Sequence, residues 1–140
     1  MRSLLEKMRT EEIERRILES GATIHEFRFT EIKGVIIEQD GLHVGIRPDL
    51  EARERKAVLA HELGHIKKGG LYQIGTPPLL KQKAECISSR YAAELLASPE
   101  DVRNALKNGI RSAWELADYF EVPYEIMNRI IDDYKTRSVI

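Results

Sequence analysis

The chain has a single cysteine, Cys86, among its 140 residues. One thiol makes no internal disulfide and no Cys-rich zinc cluster, so any metal must be held by histidine and carboxylate, and the usage fits a reducing cytoplasm. Long hydrophobic runs are missing too. The longest aliphatic stretch, Val35-Ile36-Ile37, falls far short of the roughly 18 residues of a membrane span. The N-terminus, MRSLLEKMRTEEIERR, is charged where a signal peptide is apolar. A soluble, cytoplasmic protein with no membrane partner is the expectation. Nor does one sign of charge dominate: 22 Lys and Arg stand against 23 Asp and Glu, which argues against a polyanion as the main partner. What is present is 42% hydrophobic and 32% charged residues, enough apolar matter for a core and too little imbalance for disorder. One domain over 1–140 is expected, with no repeat or linker to divide it.

Local signals predict the order of elements. Ser3-Leu4-Leu5-Glu6 reads as a capping box opening an N-terminal helix over 1–20 that stops at Gly21. A small sheet follows over 22–47: Thr23 to Phe29 alternates, Gly34 to Gln39 is β-branched, and Leu42 to Ile46 completes it. Asp40-Gly41 suits a two-residue type I′ hairpin, which sets Ile37 opposite Val44 and Val35 opposite Ile46, and on the other face Ile36 opposite Gly45 and Glu38 opposite His43. Asp49 can cap a long helix from Leu50 to Lys68, and Thr76-Pro77 starts another through Ala97, together the metal-binding helices of 50–97. Ser98-Pro99, Ser112 and Val122-Pro123 open three C-terminal helices over 98–137. The fold class is α+β: a helix, a three-stranded mainly antiparallel sheet, then a helical half that carries the site.

The chemistry lies in His61-Glu62-Leu63-Gly64-His65. On a helix, residues four apart are separated by about 40° around the axis, so His61 and His65 can grip one ion from one face. Glu62, about 100° away, reaches the ion's side as a general base without being forced to ligate it. The preceding Ala57-Val58-Leu59-Ala60 is apolar, and burying two histidines and a glutamate without a shared ion would be expensive. Gly64, costly in a helix interior, makes sense where a backbone must approach a neighbour.

A catalytic zinc site usually has three protein ligands and an open position. Glu85, on the next helix, is the candidate third ligand, 20 residues beyond His65 with the loop from Gly69 to Gly75 between. Cys86 competes by chemistry but faces about 100° away from its neighbour on a helix, and a small buried hydrophobe is its plainer reading. His43, expected opposite Glu38, and His25, on a strand face with Phe27 and Phe29, are weaker candidates. His₂Glu suits one Zn²⁺ per chain, although Mn²⁺ or Fe²⁺ can occupy such ligands.

HELGHI, followed by Glu85-Cys86-Ile87-Ser88-Ser89-Arg90-Tyr91-Ala92-Ala93-Glu94-Leu95-Leu96 and Pro99, resembles the ImmA/IrrE metallopeptidases, whose second motif reads approximately E-x-x-A-N-x-F-A-x-x-L-L. The resemblance covers about 30–135. It implies a small zincin-like fold, zinc held by His61, His65 and Glu85, and Glu62 as general base. Ser88 and Ser89 stand where Ala and Asn are usual, and Tyr91 where Phe is usual. For biology it implies a protein substrate: a helix-turn-helix transcriptional repressor whose cleavage derepresses mobile-element, prophage or stress genes.

Leu42 to Ile46, if it is the sheet edge beside the cleft, could bind substrate as an added strand, with Gly45 either permitting close approach or serving as a plain hairpin glycine. Tyr72 could stabilise an oxyanion, but packing is its plainer role. Two alternatives stand beside the protease: a zinc-stabilised anti-repressor that binds without cutting, and a helix-turn-helix DNA-binding regulator built on Leu116 to Ile130. Against the second, Tyr124 to Tyr134 carries Arg129 against Glu125, Asp132 and Asp133, a sum that phosphates would repel, so no direct nucleic-acid partner is expected. Trp114 and Tyr119 could anchor a partner, with core the reading taken for Trp114.

Overall fold

A computed structural model describes residues 8–68, 71 and 75–140. The order is α1 (Thr10–Glu19), β1 (Thr23–Glu26), β2 (Gly34–Glu38), β3 (Leu42–Ile46), α2 (Ala52–Lys68), α3 (Pro78–Leu96), α4 (Pro99–Lys107), α5 (Ala113–Phe120) and α6 (Tyr124–Thr136). This is the expected α+β layout. The N-terminal helix is shorter than expected: Met8 and Arg9 are not helical, and Arg9 is extended at the N-cap of α1. The Ser3-Glu6 capping box lies outside the described residues. Glu11 and Glu12 occupy the first turn of α1, where carboxylates suit the helix dipole, and Ile13 and Ile17, one turn apart, are fully buried.

The sheet departs from expectation in three ways. Its order is β1-β3-β2, with β1 parallel and β2 antiparallel to β3. The sheet is therefore mixed, and β3 is its centre and not an edge. Second, β1 ends at Glu26: Phe27 still donates to the Ile46 carbonyl at 2.8 Å, but Phe29 turns back to the Phe27 carbonyl at 3.0 Å. Third, the hairpin loop has three residues, closed by Glu38 opposite Leu42, with Asp40 and Gly41 both at positive φ. That shifts the register by one, and a shift of one exchanges faces. Ile36 pairs with Val44 and packs toward the core, whereas Ile37 pairs with His43 and is half exposed. Val44, Ile46 and partly buried Ile24 complete the inner face.

α2 starts at Ala52 and not at Leu50, with the Arg55 N–H donating to the Glu51 carbonyl at 2.9 Å, while the Asp49 carboxylate takes both Nε and Nη2 of Arg47, at 3.0 and 2.9 Å. Buried residues lie around most of α2, Leu59, Ala60, Leu63 and Gly64 among them, as befits a helix covered on several sides. It packs on α1, on the sheet and most extensively on α3. The C-terminal helices begin at the expected caps. Ser98 Oγ accepts from Asp101 N and Ser112 Oγ from Glu115 N, both at 3.1 Å. Two buried side chains tie this half down: Lys56 Nζ donates to the Phe120 carbonyl and Tyr134 Oη to the Ala97 carbonyl, each at 2.7 Å. Trp114 is not core. It is 63% exposed and lies flat on Tyr124, with ring centroids 3.8 Å apart.

Ser88 is fully buried, and its Oγ has no hydrogen-bond partner among the described residues. A buried hydroxyl without a partner costs roughly 1–3 kcal/mol, and alanine is the better helix former. Ser88→Ala is expected to raise unfolding free energy by about 1 kcal/mol, read as a rise of about 3 °C in Tm.

Candidate metal centre

Two packed helices bring the three candidate ligands together. His61 and His65 lie one turn apart on α2, and Glu85 lies on the facing α3. His61 Nε2 is 2.6 Å and His65 Nε2 3.2 Å from the same Glu85 Oε2, and one ligand atom from each residue falls within 4.8 Å of the others. The rings meet edge to face, 4.8 Å apart. Burial is graded: the side chain of His65 is 8% exposed, that of His61 28% and that of Glu85 41%. The cluster thus opens to solvent on its Glu85 side. Burial pulls the His61 pKa down against the opposing pull of Glu85, with His65 adding to the lowering, so the imidazole leans to the neutral form in which its nitrogen has a lone pair to give.

Glu62 lies in the core of α2, 7% exposed. Burial, reinforced by the Glu85 carboxylate, pushes its pKa up to about 8. β2 passes directly over it. A Cβ on Gly34 would stand 2.5 Å from Val58 Cγ1 and 3.5 Å from Glu62 Oε1, so the lack of a side chain lets the strand approach.

The close packing of α2 on α3 has a specific origin. A Cβ on Gly64 would lie 2.7 Å from the Ser88 carbonyl oxygen and 3.0 Å from its Cα. Gly64 therefore sets the helix separation across which the ligands meet.

Two contributors were missed from sequence. Ser89 Oγ lies 3.4 Å from His61 Nδ1, placed to orient the ring whose Nε2 faces Glu85; its spacing of four from Glu85 on a helix was the available signal. Gly34 had no local signal, since its role depends on which strand is the edge. The other candidates fall elsewhere. Cys86 is exposed and not a buried hydrophobe. Gly45 is covered by Phe29, whose Cζ would be 3.0 Å from an added Cβ, so it is no approach for substrate. His43 faces Ile37 and Thr23 and not Glu38, while Tyr72 lies outside the described residues. A groove of about 370 Å³ opens beside His61 and Glu85, with Ala93, Leu96 and Ile130 in its wall and Arg90 and Arg129 along it. Among the described residues no helix is long and apolar enough to cross a membrane.

Histidines and a carboxylate converging from two packed helices, with a buried acid beside them and a small sheet above, describe a metallopeptidase-like domain. Comparison with known families agrees: the sequence model of the IrrE N-terminal-like domain, a peptidase family, matches residues 18–131. The chain belongs to this family, which points to a protein substrate and, typically, to dependence on a metal. Comparison with curated proteins and with solved structures finds no match.

Proposed function

We propose that the chain is a zinc-dependent endopeptidase that cuts a peptide bond in a specific helix-turn-helix repressor, with 1–140 working as one peptidase domain. The observation that carries this reading is the meeting of two imidazole nitrogens on one carboxylate oxygen beside the buried Glu62. The donor set fits zinc: two imidazoles and a carboxylate, leaving a position open. His61, His65 and Glu85 would hold the ion. When bound, it supplies Lewis acidity, polarising a peptide carbonyl and making a water acidic near neutral pH.

The chain's own groups do the rest. Glu62 takes a proton from water and passes it to the leaving amine; a cation beside it favours the ionised form that this role needs, against the upward pull of burial. β2 is the edge strand next to Glu62, so an extended substrate segment would add to β2 and not to β3. The groove by His61 and Glu85 would seat a substrate side chain in its apolar wall. Family membership supports a protein substrate, and the repressor follows from the resemblance to the ImmA/IrrE enzymes.

Metal content tests the ligand set. After purification without a metal-affinity tag and dialysis, wild-type protein is expected to retain about one zinc per chain, and Glu85→Ala and His61→Ala to lose it. Zinc that survives Glu85→Ala, or none in wild type after reconstitution, would overturn the reading.

A further inference from the structure

A second pair of histidines meets on the outer face of the sheet, opposite the side on which Ile24, Val44 and Ile46 enter the core. The parallel register of β1 and β3 sets Thr23 beside His43 and His25 beside Gly45, so His25 and His43 are diagonal neighbours on one face. His25 Nε2 lies 3.1 Å from His43 Nδ1, and Thr23 Oγ1 is 2.9 Å from each. These atoms come from strands whose histidines are 18 residues apart in sequence, and none belongs to the centre on α2 and α3.

The tautomer of His43 is set by its surroundings. Its Nε2 is 3.0 Å from the Gln39 carbonyl, which only accepts, so the proton sits on Nε2 and Nδ1 presents a lone pair toward His25. A histidine that donates its outer N–H to a backbone carbonyl while its inner nitrogen faces a shared point is the usual arrangement of a metal ligand. The separation fits as well: a tetrahedral ion that binds two imidazole nitrogens at about 2.0–2.1 Å holds them about 3.3 Å apart. This face is open, with His25 exposed, so water could have satisfied each ring separately and can complete an ion's coordination.

We propose that His25 and His43, assisted by Thr23 Oγ1, form a second cation site that takes a divalent transition ion of the zinc, nickel and copper class. Imidazole selects such ions over Mg²⁺ and Ca²⁺, which want oxygen. The ion would staple β1 to β3 from outside, where the pairing is only four residues long. The site does not depend on the peptidase reading.

Zinc chloride titrated into the metal-free 140-residue chain tests it, by calorimetry and by the imidazole ¹⁵N resonances, with magnesium chloride as control. A zinc equivalent is expected that survives Glu85→Ala and is at least about 10-fold weaker in His25→Ala and in His43→Ala. The His25 and His43 resonances should move together with zinc and stay still with magnesium. The spectra of wild-type protein decide even if a variant misfolds. Resonances of either histidine unmoved at about 1 mM zinc, or an equivalent as strong in both alanine variants as in wild type, would overturn the site and leave only a hydrogen bond between the rings. Failure of the peptidase reading shows separately, as the absence of any equivalent that Glu85→Ala removes.

Discussion

Glu62→Gln is expected to lower cleavage of a purified repressor substrate by at least about 100-fold while leaving zinc content and repressor binding unchanged. Glutamine has nearly the shape of glutamate, so the packing of α2 under Val58 and Gly34 survives the change. What it lacks is a carboxylate oxygen able to take a proton. Glu62 is not among the three residues whose ligand atoms converge, so the exchange removes none of the proposed zinc ligands. The substitution thus separates chemistry from binding, and thermal unfolding should show no loss of stability. The decisive comparison is repressor inactivation in a purified system. If the glutamine variant inactivates the repressor as fast as wild type, the protein acts by holding its target and not by cutting it, and the anti-repressor reading replaces the protease.

The parts of the fold that were legible in sequence are those set by neighbours in the chain. Ser98 and Ser112 each cap a helix by accepting from the backbone three residues on, an interaction complete within one turn. Asp49 shows the limit: it is as good a cap by type, yet Arg47, two residues away, occupies both its oxygens. The hairpin failed for a different reason. Asp40-Gly41 supports a two-residue or a three-residue loop, and the choice decides whether Ile36 or Ile37 faces inward; both are isoleucine, so the apolar pattern could not choose. The parallel pairing of β1 with β3 leaves no local trace, since it depends on β2 being inserted in the chain but placed outside in the sheet.

The candidate site was more legible than the sheet that covers it. HELGH lies on one helix and Glu85 on the next, so helical geometry and one short connection suffice to propose the cluster. Ser89 was within reach of the same reasoning. His25 and His43 were not, because each was weighed against neighbours on an expected sheet, Phe27 and Phe29 for one and Glu38 for the other, and the observed register gives both different company.

Gly64→Ala should be the most damaging single-methyl change near the site. By intrinsic propensity alanine is better in a helix by about 1 kcal/mol, so on an exposed face the exchange would stabilise. Here the new Cβ would stand 2.7 Å from the carbonyl oxygen of Ser88, 3.0 Å from its Cα and 3.2 Å from its carbonyl carbon. These are backbone atoms of α3, which cannot swing aside as a side-chain tip can, and overpacking of this kind costs roughly 1–3 kcal/mol or more. The clash outweighs the propensity, and a net loss of about 1–2 kcal/mol is expected in thermal or denaturant unfolding. Metal affinity should fall with it, since α2 holds His61 and His65 and α3 holds Glu85: a site that tolerates only about 0.5 Å of misplacement spans the two helices that are forced apart. Competition with a chelator is therefore expected to strip zinc from the alanine variant at least about 10-fold more readily than from wild type. Ser88→Ala sharpens the test, because it removes a hydroxyl and leaves in place every backbone atom that the new methyl meets. The double variant should remain destabilised, because the contacts of the new methyl are with Ser88 backbone atoms that the serine-to-alanine exchange keeps. An unfolding midpoint that rises in Gly64→Ala would mean that propensity alone governs the position, and that the helices stand farther apart than a His61-His65-Glu85 metal centre requires.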